Sequence, residues 1–325
     1  MSGQSNSGGA NSRRTDIAGL ATRLRKGETR ALAKALTVAD IGGEEARALL
    51  QALDRDRRET PVVGLTGPPG SGKSTLISAM IRTLRERGSK VAALAVDPSS
   101  PKSGGAILGD RARMGEHGSD PHVFIRSIAA RGHLGGLALN IQASIDVVNA
   151  AGFDIVLLET VGAGQSEIEV AQVADVTVVI GAPGLGDDLQ AIKAGILEVA
   201  DILVVNKADL PGADETARQL EAMLGLRSAD RRDTPVVSTV ATTGHGVAEL
   251  VKTALELSAA VTPEERRARA ERQAVDRLAN TAGTLVRDAL NALPAEERRA
   301  LVERIRAGAA DPGEAARRLL NDRTG

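Results

Sequence analysis

The chain has 325 residues, 42% of them hydrophobic, which is enough for one domain of roughly 200 residues with smaller flanking pieces. Its 41 basic and 42 acidic side chains nearly cancel, so no overall charge favours DNA, RNA or anionic lipid, and no apolar run is long enough to span a membrane. With no cysteine and only two aromatic residues, it lacks disulfides, thiolate metal ligands and base-stacking surfaces, and we expect a cytoplasmic protein without nucleic-acid or membrane partners.

Residues 1–60 precede the main domain and fall into two parts. Residues 1–14 are rich in Ser, Gly and Asn, a composition typical of disordered segments. Over residues 15–60, apolar residues recur at the spacing of short amphipathic helices. We therefore expect a disordered lead-in followed by an N-terminal helical segment.

Residues 61–260 alternate short β-branched runs with helical patterns. This alternation predicts a mostly parallel sheet with helices on both faces, as in α/β proteins. The runs are continuously apolar, as expected of strands that are buried on both faces. The predicted strands are Val62–Thr66, Val91–Val96, Ile155–Glu159, Val176–Ile180, Ile202–Asn206 and Val236–Thr239.

Residues 67–74 read GPPGSGKS and match the phosphate-loop pattern G-x-x-x-x-G-K-[ST]. They follow a predicted strand and precede a helical pattern, which is the context that this motif requires. In such a loop, backbone N–H groups and the helix N-terminus bind phosphate, Lys73 contacts the terminal phosphates and Ser74 binds Mg²⁺. The predicted nucleotide-contacting residues here are Gly70, Ser71, Gly72, Lys73, Ser74 and Thr75.

Acidic residues stand at the ends of two predicted strands. Asp97 follows the run Val91–Val96, and Glu159 ends the run that begins at Ile155. Because ligands of parallel sheets bind at the C-terminal edge, both carboxylates are expected near the phosphates. Mg²⁺ takes one or two carboxylates beside phosphate oxygens, and the sequence leaves open which acid ligates it directly. The candidate metal ligands are Ser74, Asp97, Asp110 and Glu159.

The segment Glu159–Gly162 reads E-T-V-G where many GTPases have D-x-x-G. The N–H of Gly162 could bind the γ-phosphate and move after hydrolysis. No Gln follows Gly162 directly, and Gln165 lies three positions further along the chain. We therefore expect slow hydrolysis by the protein alone and acceleration by a partner.

A second nucleotide motif, Asn206-Lys207-Ala208-Asp209, follows the strand predicted over Ile202–Asn206. An ionised Asp209 accepts hydrogen bonds from guanine N1–H and the 2-amino group together, and adenine offers neither donor there. Asn206 is expected to connect the base to the phosphate loop, and the Lys207 stem to lie over the ring. Together with the phosphate loop, this N-K-x-D sequence predicts a protein that binds GTP and GDP and hydrolyses GTP.

A helix-rich tail follows the last predicted strand and spans residues 261–325. Thr262 is a suitable N-cap, Pro263 suits the first helical position, and Glu264 and Glu265 fall in the first turn. The tail is rich in Arg and Glu, and its pattern is typical either of a solvated helix bundle or of a dimerisation arm.

Beyond these motifs, several segments between about residues 64 and 260 resemble the MeaB/ArgK family, the GTPase chaperones of adenosylcobalamin-dependent acyl-CoA mutases. The resemblance implies an α/β fold of the SIMIBI class of P-loop NTPases, with N-terminal and C-terminal helical extensions. It also implies that GTP binding and hydrolysis gate adenosylcobalamin loading and protect or reactivate a mutase of the methylmalonyl-CoA type. The segments are Ala95–Ser100, Gly104–Asp110, Phe124–Arg126, His133–Gly136, Glu159–Glu167 and Gly186–Lys193.

The resemblance also implies roles for single residues of this chain. Asp97 and Asp110 would belong to the Mg²⁺ and first-switch region, and Glu159, Gly162 and Gln165 to the second switch. The tail would hold a homodimer together, and a cobalamin adenosyltransferase is left open as a further partner. The residues that match an additional switch, which communicates with the mutase, are Asp187, Gln190 and Lys193. The candidate catalytic residues are Lys73, Glu159, Gln165 and Lys193, and the residue expected in the ribose/base loop is Ala241.

Two other enzyme classes and one class of binding protein remain open from the residues alone. A metal-delivery GTPase of the same class would display Cys or clustered His ligands, whereas Cys is absent and the four His residues are dispersed. A P-loop kinase would transfer phosphate to an acceptor other than water, and the guanine-reading motif argues against it. A binding module that uses nucleotide only as a conformational latch would release no phosphate.

Overall fold

The computed structural model describes residues 15–54, 60–98, 115–130, 136–160, 171–184, 196–224 and 234–321. Among them, a seven-stranded sheet has the order β3-β2-β4-β1-β5-β6-β7, and each neighbouring pair is parallel. The predicted α/β class with a parallel sheet is confirmed. The strands are β1 Val62–Thr66, β2 Val91–Pro98, β3 Val123–Ala130, β4 Ile155–Thr160, β5 Val176–Gly181, β6 Ile202–Asn206 and β7 Val236–Thr239.

Helices cover both faces of the sheet and continue into a C-terminal arm. None of the described helices combines the length and the apolar character that crossing a bilayer requires. The expected disordered lead-in, residues 1–14, lies outside the described residues. The helices are α1 Ile17–Arg25, α2 Thr29–Ile41, α3 Gly43–Leu53, α4 Lys73–Glu86, α5 Gly136–Ala150, α6 Ile196–Val199, α7 Ala213–Leu224, α8 Val247–Ala260, α9 Pro263–Ala292, α10 Ala295–Arg306 and α11 Pro312–Asn321, with a 3₁₀ turn at Gly115–His117.

All six predicted strands are present, and the structure adds a seventh, β3, at the edge of the sheet beside β2. Its sequence interrupts an apolar run with Arg126 and Ser127, so the pattern does not predict a buried strand. In the structure, the Arg126 guanidinium donates hydrogen bonds to the carbonyl of Ala33 (3.0 Å) and the hydroxyl of Thr37 (2.9 Å). Both acceptors belong to α2, so this arginine ties the edge strand to the N-terminal helices.

Alternating strand side chains divide the core into two layers, one on each face of the sheet. In β4, Val156 and Leu158 pack with α1, α2, α3 and α5, whereas Ile155 and Leu157 pack with α4 and α8. The N-terminal helices therefore share a core with the sheet, while the division of the chain into domains stays a prediction. The buried leucines that these helices contribute are Leu20, Leu24, Leu32, Leu36, Leu49 and Leu53.

The C-terminal arm begins with a capping box at the start of α9. The Thr262 hydroxyl accepts from the N–H of Glu265 (3.2 Å), and the Glu265 carboxylate accepts from the N–H of Thr262 (2.8 Å). The backbone N–H and then the hydroxyl of Thr262 hold the pKa of Glu265 below its ordinary value. Sequence and structure thus agree on where this helix begins.

Arg269 attaches the first turns of α9 to the sheet. Its guanidinium donates to the carbonyl of Ala174 (2.5 Å) and to Oδ1 of Asp175 (3.0 Å), immediately before β5. The other carboxylate oxygen of Asp175 accepts from the N–H of Val62 at 2.8 Å. One carboxylate therefore joins the arm to the first residue of β1.

Candidate functional site

The phosphate loop lies between β1 and α4, at the C-terminal edge of the sheet. Gly70 and Gly72 have φ angles of 81° and 89°, which glycine adopts without the steric cost of a side chain. A Cβ on Gly72 would lie 2.5 Å from Nδ2 of Asn206, so this position also lacks room for a side chain. The backbone N–H groups of the loop and the N-terminus of the 14-residue helix α4 lie side by side. Both carry partial positive charge, so this arrangement is suited to binding phosphate.

Gly67, the first residue of the loop, lies directly against β5. A Cβ at this position would overlap the carbonyl oxygen of Ile180, and the φ of 149° is in the region that favours glycine. Replacing Gly67 with Ala is expected to lower the free energy of unfolding by about 3 kcal/mol, because the overlap and the backbone strain add. Urea denaturation of the nucleotide-free protein measures this change.

Gly70→Ala is the matched control for this prediction. Gly70 also has a positive φ, but its Cα faces open space, so we expect a loss of only about 1 kcal/mol. Equal losses for the two variants would show that the contact with Ile180 does not constrain the loop.

Two buried polar side chains, Lys73 and Ser74, stand at the start of α4. Lys73 is 7% exposed, and its ammonium donates to the carbonyls of Gly67 (2.8 Å) and Pro68 (3.0 Å). The hydroxyl of Ser74, also buried, donates to Oε1 of Glu159 at 2.7 Å. Phosphate oxygens bound at this helix N-terminus would replace the loop carbonyls as acceptors for Lys73.

The oxygen donors around Ser74 fit a Mg²⁺ ion beside phosphate. The Ser74 hydroxyl and the Glu159 carboxylate are hard ligands of the type that Mg²⁺ prefers. Asp97 lies at the same edge of the sheet, because Ala95, two residues earlier in β2, pairs with Glu159. Ser71 adds a buried hydroxyl without a hydrogen-bond partner among the described residues, as expected of a group that binds phosphate. These residues would hold a Mg²⁺–nucleotide complex.

Asn206 connects the base-reading motif to the phosphate loop. It is 1% exposed, and its Nδ2 donates to the carbonyl of Ser71 at 2.9 Å. Its Oδ1 accepts from the Thr239 hydroxyl (3.1 Å) and from the N–H of Ala241 (3.3 Å). One buried amide therefore fixes the loops that follow β1 and β7 relative to the end of β6.

Lys207 and Asp209 follow in the turn after β6. Lys207 is the one described residue other than glycine with a positive φ, 56°, and its ammonium donates to the carbonyl of Gly70 at 2.8 Å. Its stem spans from the turn to the phosphate loop, which is the path expected of a side chain that lies over the base. Asp209 is exposed, so its carboxylate is accessible to a ligand.

Two buried threonines complete the hydrogen bonding of this edge, and the sequence patterns do not single them out. Thr239 pairs with Asn206 across β7 and β6, and its hydroxyl donates to the side-chain Oδ1 of Asn206. Thr160, one residue after Glu159, donates to the hydroxyl of Thr66 at 3.0 Å. Their positions were the signal that could have identified them. Thr160 ends β4, which is adjacent to β1, and Thr239 ends β7, which is adjacent to β6; a nucleotide motif follows both β1 and β6.

The predicted site residues fall into two groups. The structure brings Gly70–Thr75, Asp97, Glu159, Asn206–Asp209 and Ala241 to one edge of the sheet. The other predicted residues lie outside the described residues and stay predictions. They are Asp110, Gly162, Gln165, Asp187, Gln190 and Lys193.

Comparisons with known proteins agree with this geometry. The crystal structure of an LAO/AO transport system kinase matches with a TM-score of 0.67 at 28% identity, covering 95% of this chain and 98% of its own. A protein of Mycobacterium tuberculosis named as a probable GTPase is 41% identical over 321 residues, which is 94% of each chain. GTPase ArgK of Escherichia coli is 45% identical over 191 residues, or 58% of each chain.

A family model gives the assignment over most of the chain. The model described as methylmalonyl-CoA mutase-associated GTPase MeaB matches residues 32–297, a range that includes both nucleotide motifs. The P-loop fold and the family resemblance expected from the sequence are therefore confirmed. The chain belongs to the MeaB family of methylmalonyl-CoA mutase-associated GTPases.

Proposed function

We propose that this protein is a Mg²⁺-dependent, GTP-hydrolysing chaperone that gates adenosylcobalamin loading of an acyl-CoA mutase and protects or reactivates that mutase. Membership of the MeaB family supports the GTPase activity and the mutase partner. The observation that carries the proposal is the Asn206 side chain, which connects the phosphate loop and the base loop through Ser71 and Ala241. A site connected in this way favours a nucleotide whose base and phosphates are recognised together. Preference for guanine over adenine is assigned to the exposed carboxylate of Asp209.

In this proposal, the chain's own residues stabilise phosphoryl transfer to water by electrostatics. Lys73 and the N-terminus of α4 lie where negative charge would develop on the transferred group. Ser74 and Glu159 would hold Mg²⁺, and the bound ion would neutralise charge on the phosphate oxygens. Gln165 and Lys193 are further catalytic candidates, and the sequence pattern around Gln165 supports slow turnover by the protein alone.

Three segments are proposed to report the nucleotide state to the mutase: residues 97–110, 159–167 and 183–193. Each begins at or immediately after the C-terminal end of a strand of the sheet, which supports a position near the phosphates. Movement of such segments on hydrolysis is the usual way in which GTPases signal to partners. Asp187 and Gln190 belong to the third of these segments.

We also propose that the C-terminal arm forms a homodimer. Supporting this, α9 exposes three large apolar side chains: Val275 (65%), Leu278 (71%) and Leu285 (48%). They are three and seven residues apart, so they lie on one face of the helix, at the spacing that two packed helices use. Light scattering of the full chain should then give twice the mass of one chain.

The proposed function is tested by hydrolysis of GTP and of ATP, each with and without an adenosylcobalamin-dependent acyl-CoA mutase from the same genome. We expect slow release of phosphate from GTP alone, acceleration of at least about tenfold by the mutase, and little use of ATP. An unrelated protein at the same concentration controls for non-specific stabilisation. A cobalamin adenosyltransferase, added in a separate arm, tests that enzyme as a further partner.

Each alternative predicts a different outcome of the same assay. GTP hydrolysis that no such mutase changes would remove the chaperone role, and stoichiometric bound Ni or Zn would then favour metal delivery. Phosphate found on an acceptor rather than in solution would favour a kinase. Equal use of ATP and GTP would contradict the role of the N-K-x-D motif.

A further inference from the structure

A cavity of about 390 Å³ lies at the edge of the sheet opposite to the nucleotide site. Lys90, Val123 and Phe153 in its wall lie at the N-terminal ends of β2, β3 and β4. Lys26 and Gly27, in the turn between α1 and α2, form another part of the wall. Because the phosphate loop is at the C-terminal ends of the same parallel strands, about 20 Å of strand separates the two sites.

The basic side chains Lys26, Lys90 and His122 line this cavity. All three residues are exposed, and within the described part of the chain no carboxylate lies at ion-pair distance from their side chains. Asp120, the acid among the described wall residues, accepts from Arg85 (2.8 Å) and from the N–H of His122 (2.8 Å). The bond from Arg85 first, and then the N–H of His122, hold the pKa of Asp120 below its ordinary value, and the charges of both residues act in the same direction. The ammonium groups of Lys26 and Lys90 therefore give this cavity positive charge that suits an anion.

Both aromatic residues of the chain, Phe124 and Phe153, line the same cavity. Their ring centroids lie 6.3 Å apart and their planes are tilted by 56°, a geometry typical of favourable aromatic pairs. Leu24 and Leu32 add aliphatic surface beside them. A flat aromatic ring against this wall would gain burial and ring–ring contact, neither of which an inorganic anion alone can use.

We propose that this cavity binds a small phosphorylated aromatic compound. Its phosphate would contact Lys26, Lys90 and His122, and its ring would pack against Phe124 and Phe153. The cavity volume lies in the range of about 300–1,000 Å³ that small-molecule sites occupy. This binding is separate from the GTP site and does not depend on the proposed chaperone function.

Isothermal titration of the full chain tests the proposal with adenosine 5′-monophosphate as the probe. The protein is first saturated with GDP and Mg²⁺, so that the phosphate loop is occupied. We expect one further site with a Kd of about 10⁻⁵ to 10⁻³ M. Adenosine and inorganic phosphate, titrated separately, should each bind at least about tenfold more weakly, because each engages only one half of the cavity.

Variants separate the two halves of the site. Lys26→Gln with Lys90→Gln should weaken binding of the probe at least about tenfold, whereas Lys252→Gln, at an exposed ion pair on α8, should leave it unchanged. Phe124→Leu keeps a similar volume and should weaken the probe while leaving phosphate binding unchanged.

The proposal would be overturned by absence of probe binding, by phosphate binding as tight as the probe, or by unchanged binding in the double lysine variant. GTP hydrolysis by the same preparations is a separate readout. It is expected to remain at the wild-type rate in all of these variants, so failure of the cavity and failure of the nucleotide site are distinguishable.

Discussion

Asparagine in place of Asp209 is expected to lower the affinity for GTP by about 10³-fold and to allow tight binding of xanthosine triphosphate. The carboxylate of Asp209 can accept from guanine N1–H and the 2-amino group, whereas an amide offers one acceptor and one donor. The guanine 2-amino group would then face the amide NH₂ of the asparagine, which is also a donor, and one of these two groups would stay without a hydrogen-bond partner. Xanthine has a carbonyl at that position, which accepts from the new amide. Competition against a fluorescent guanine nucleotide measures both affinities.

Asp214→Asn provides the matched control for this change in base preference. Asp214 is an exposed acid in the first turn of α7, outside the nucleotide site, so its replacement should leave both affinities unchanged. An Asp209→Asn protein that still prefers GTP to xanthosine triphosphate would refute the base-reading role. It would leave the phosphate-loop assignment intact, because Lys73 acts at the other end of the nucleotide.

Alanine in place of Lys73 is expected to reduce the rate of GTP hydrolysis by about 10³-fold and to weaken triphosphate binding more than diphosphate binding. The ammonium is buried and held on the carbonyls of Gly67 and Pro68, so it is already positioned where the terminal phosphates would lie. Its removal takes away a fixed positive charge that stabilises the transition state more than it stabilises the bound substrate. Phosphate release and nucleotide titration measure the two effects.

Lys252→Ala controls for a general loss of positive charge. Lys252 pairs with Glu256 on the exposed face of α8, and its removal should leave hydrolysis unchanged. The unfolding temperature of the nucleotide-free Lys73→Ala protein checks that the loop still folds. Hydrolysis at the wild-type rate by a folded Lys73→Ala protein would exclude this lysine from the site.

Short-range patterns were sufficient to predict most of the sheet. Six strands coincide with mostly apolar, β-branched runs, and four of them, β1, β4, β5 and β6, are buried at every position. The phosphate loop could also be predicted, because its glycines and Lys73 are close in sequence. Its backbone N–H groups are expected to bind phosphate, so the short glycine-rich motif is enough to identify it. Local sequence and local structure agree at both places.

Contacts between distant segments could not be predicted in the same way. The edge strand β3 was not predicted, because Arg126 interrupts its apolar run. The reason for that arginine is a hydrogen bond to Thr37 of α2, which lies 89 residues earlier in the chain. The ion pair between Arg269 and Asp175 joins residues that are 94 positions apart, and the sequence around neither residue indicates it. The bond from Asn206 to Ser71 is the exception, because the two motifs together imply a shared nucleotide. Of these three long-range pairs, the one that could be predicted is the pair that a shared nucleotide connects.

The attachment of the C-terminal arm connects it to the strand that leads into the phosphate loop. Helix α9 has 30 residues and is therefore about 45 Å long. Its first turns are fixed through Asp175 to Val62, and β1 runs from Val62 directly into the loop. A rotation of about 5° at this attachment would displace the far end of the helix by about 4 Å. Small angular changes of β1 at this attachment would thus appear at the far end of the arm as displacements comparable with the size of a side chain.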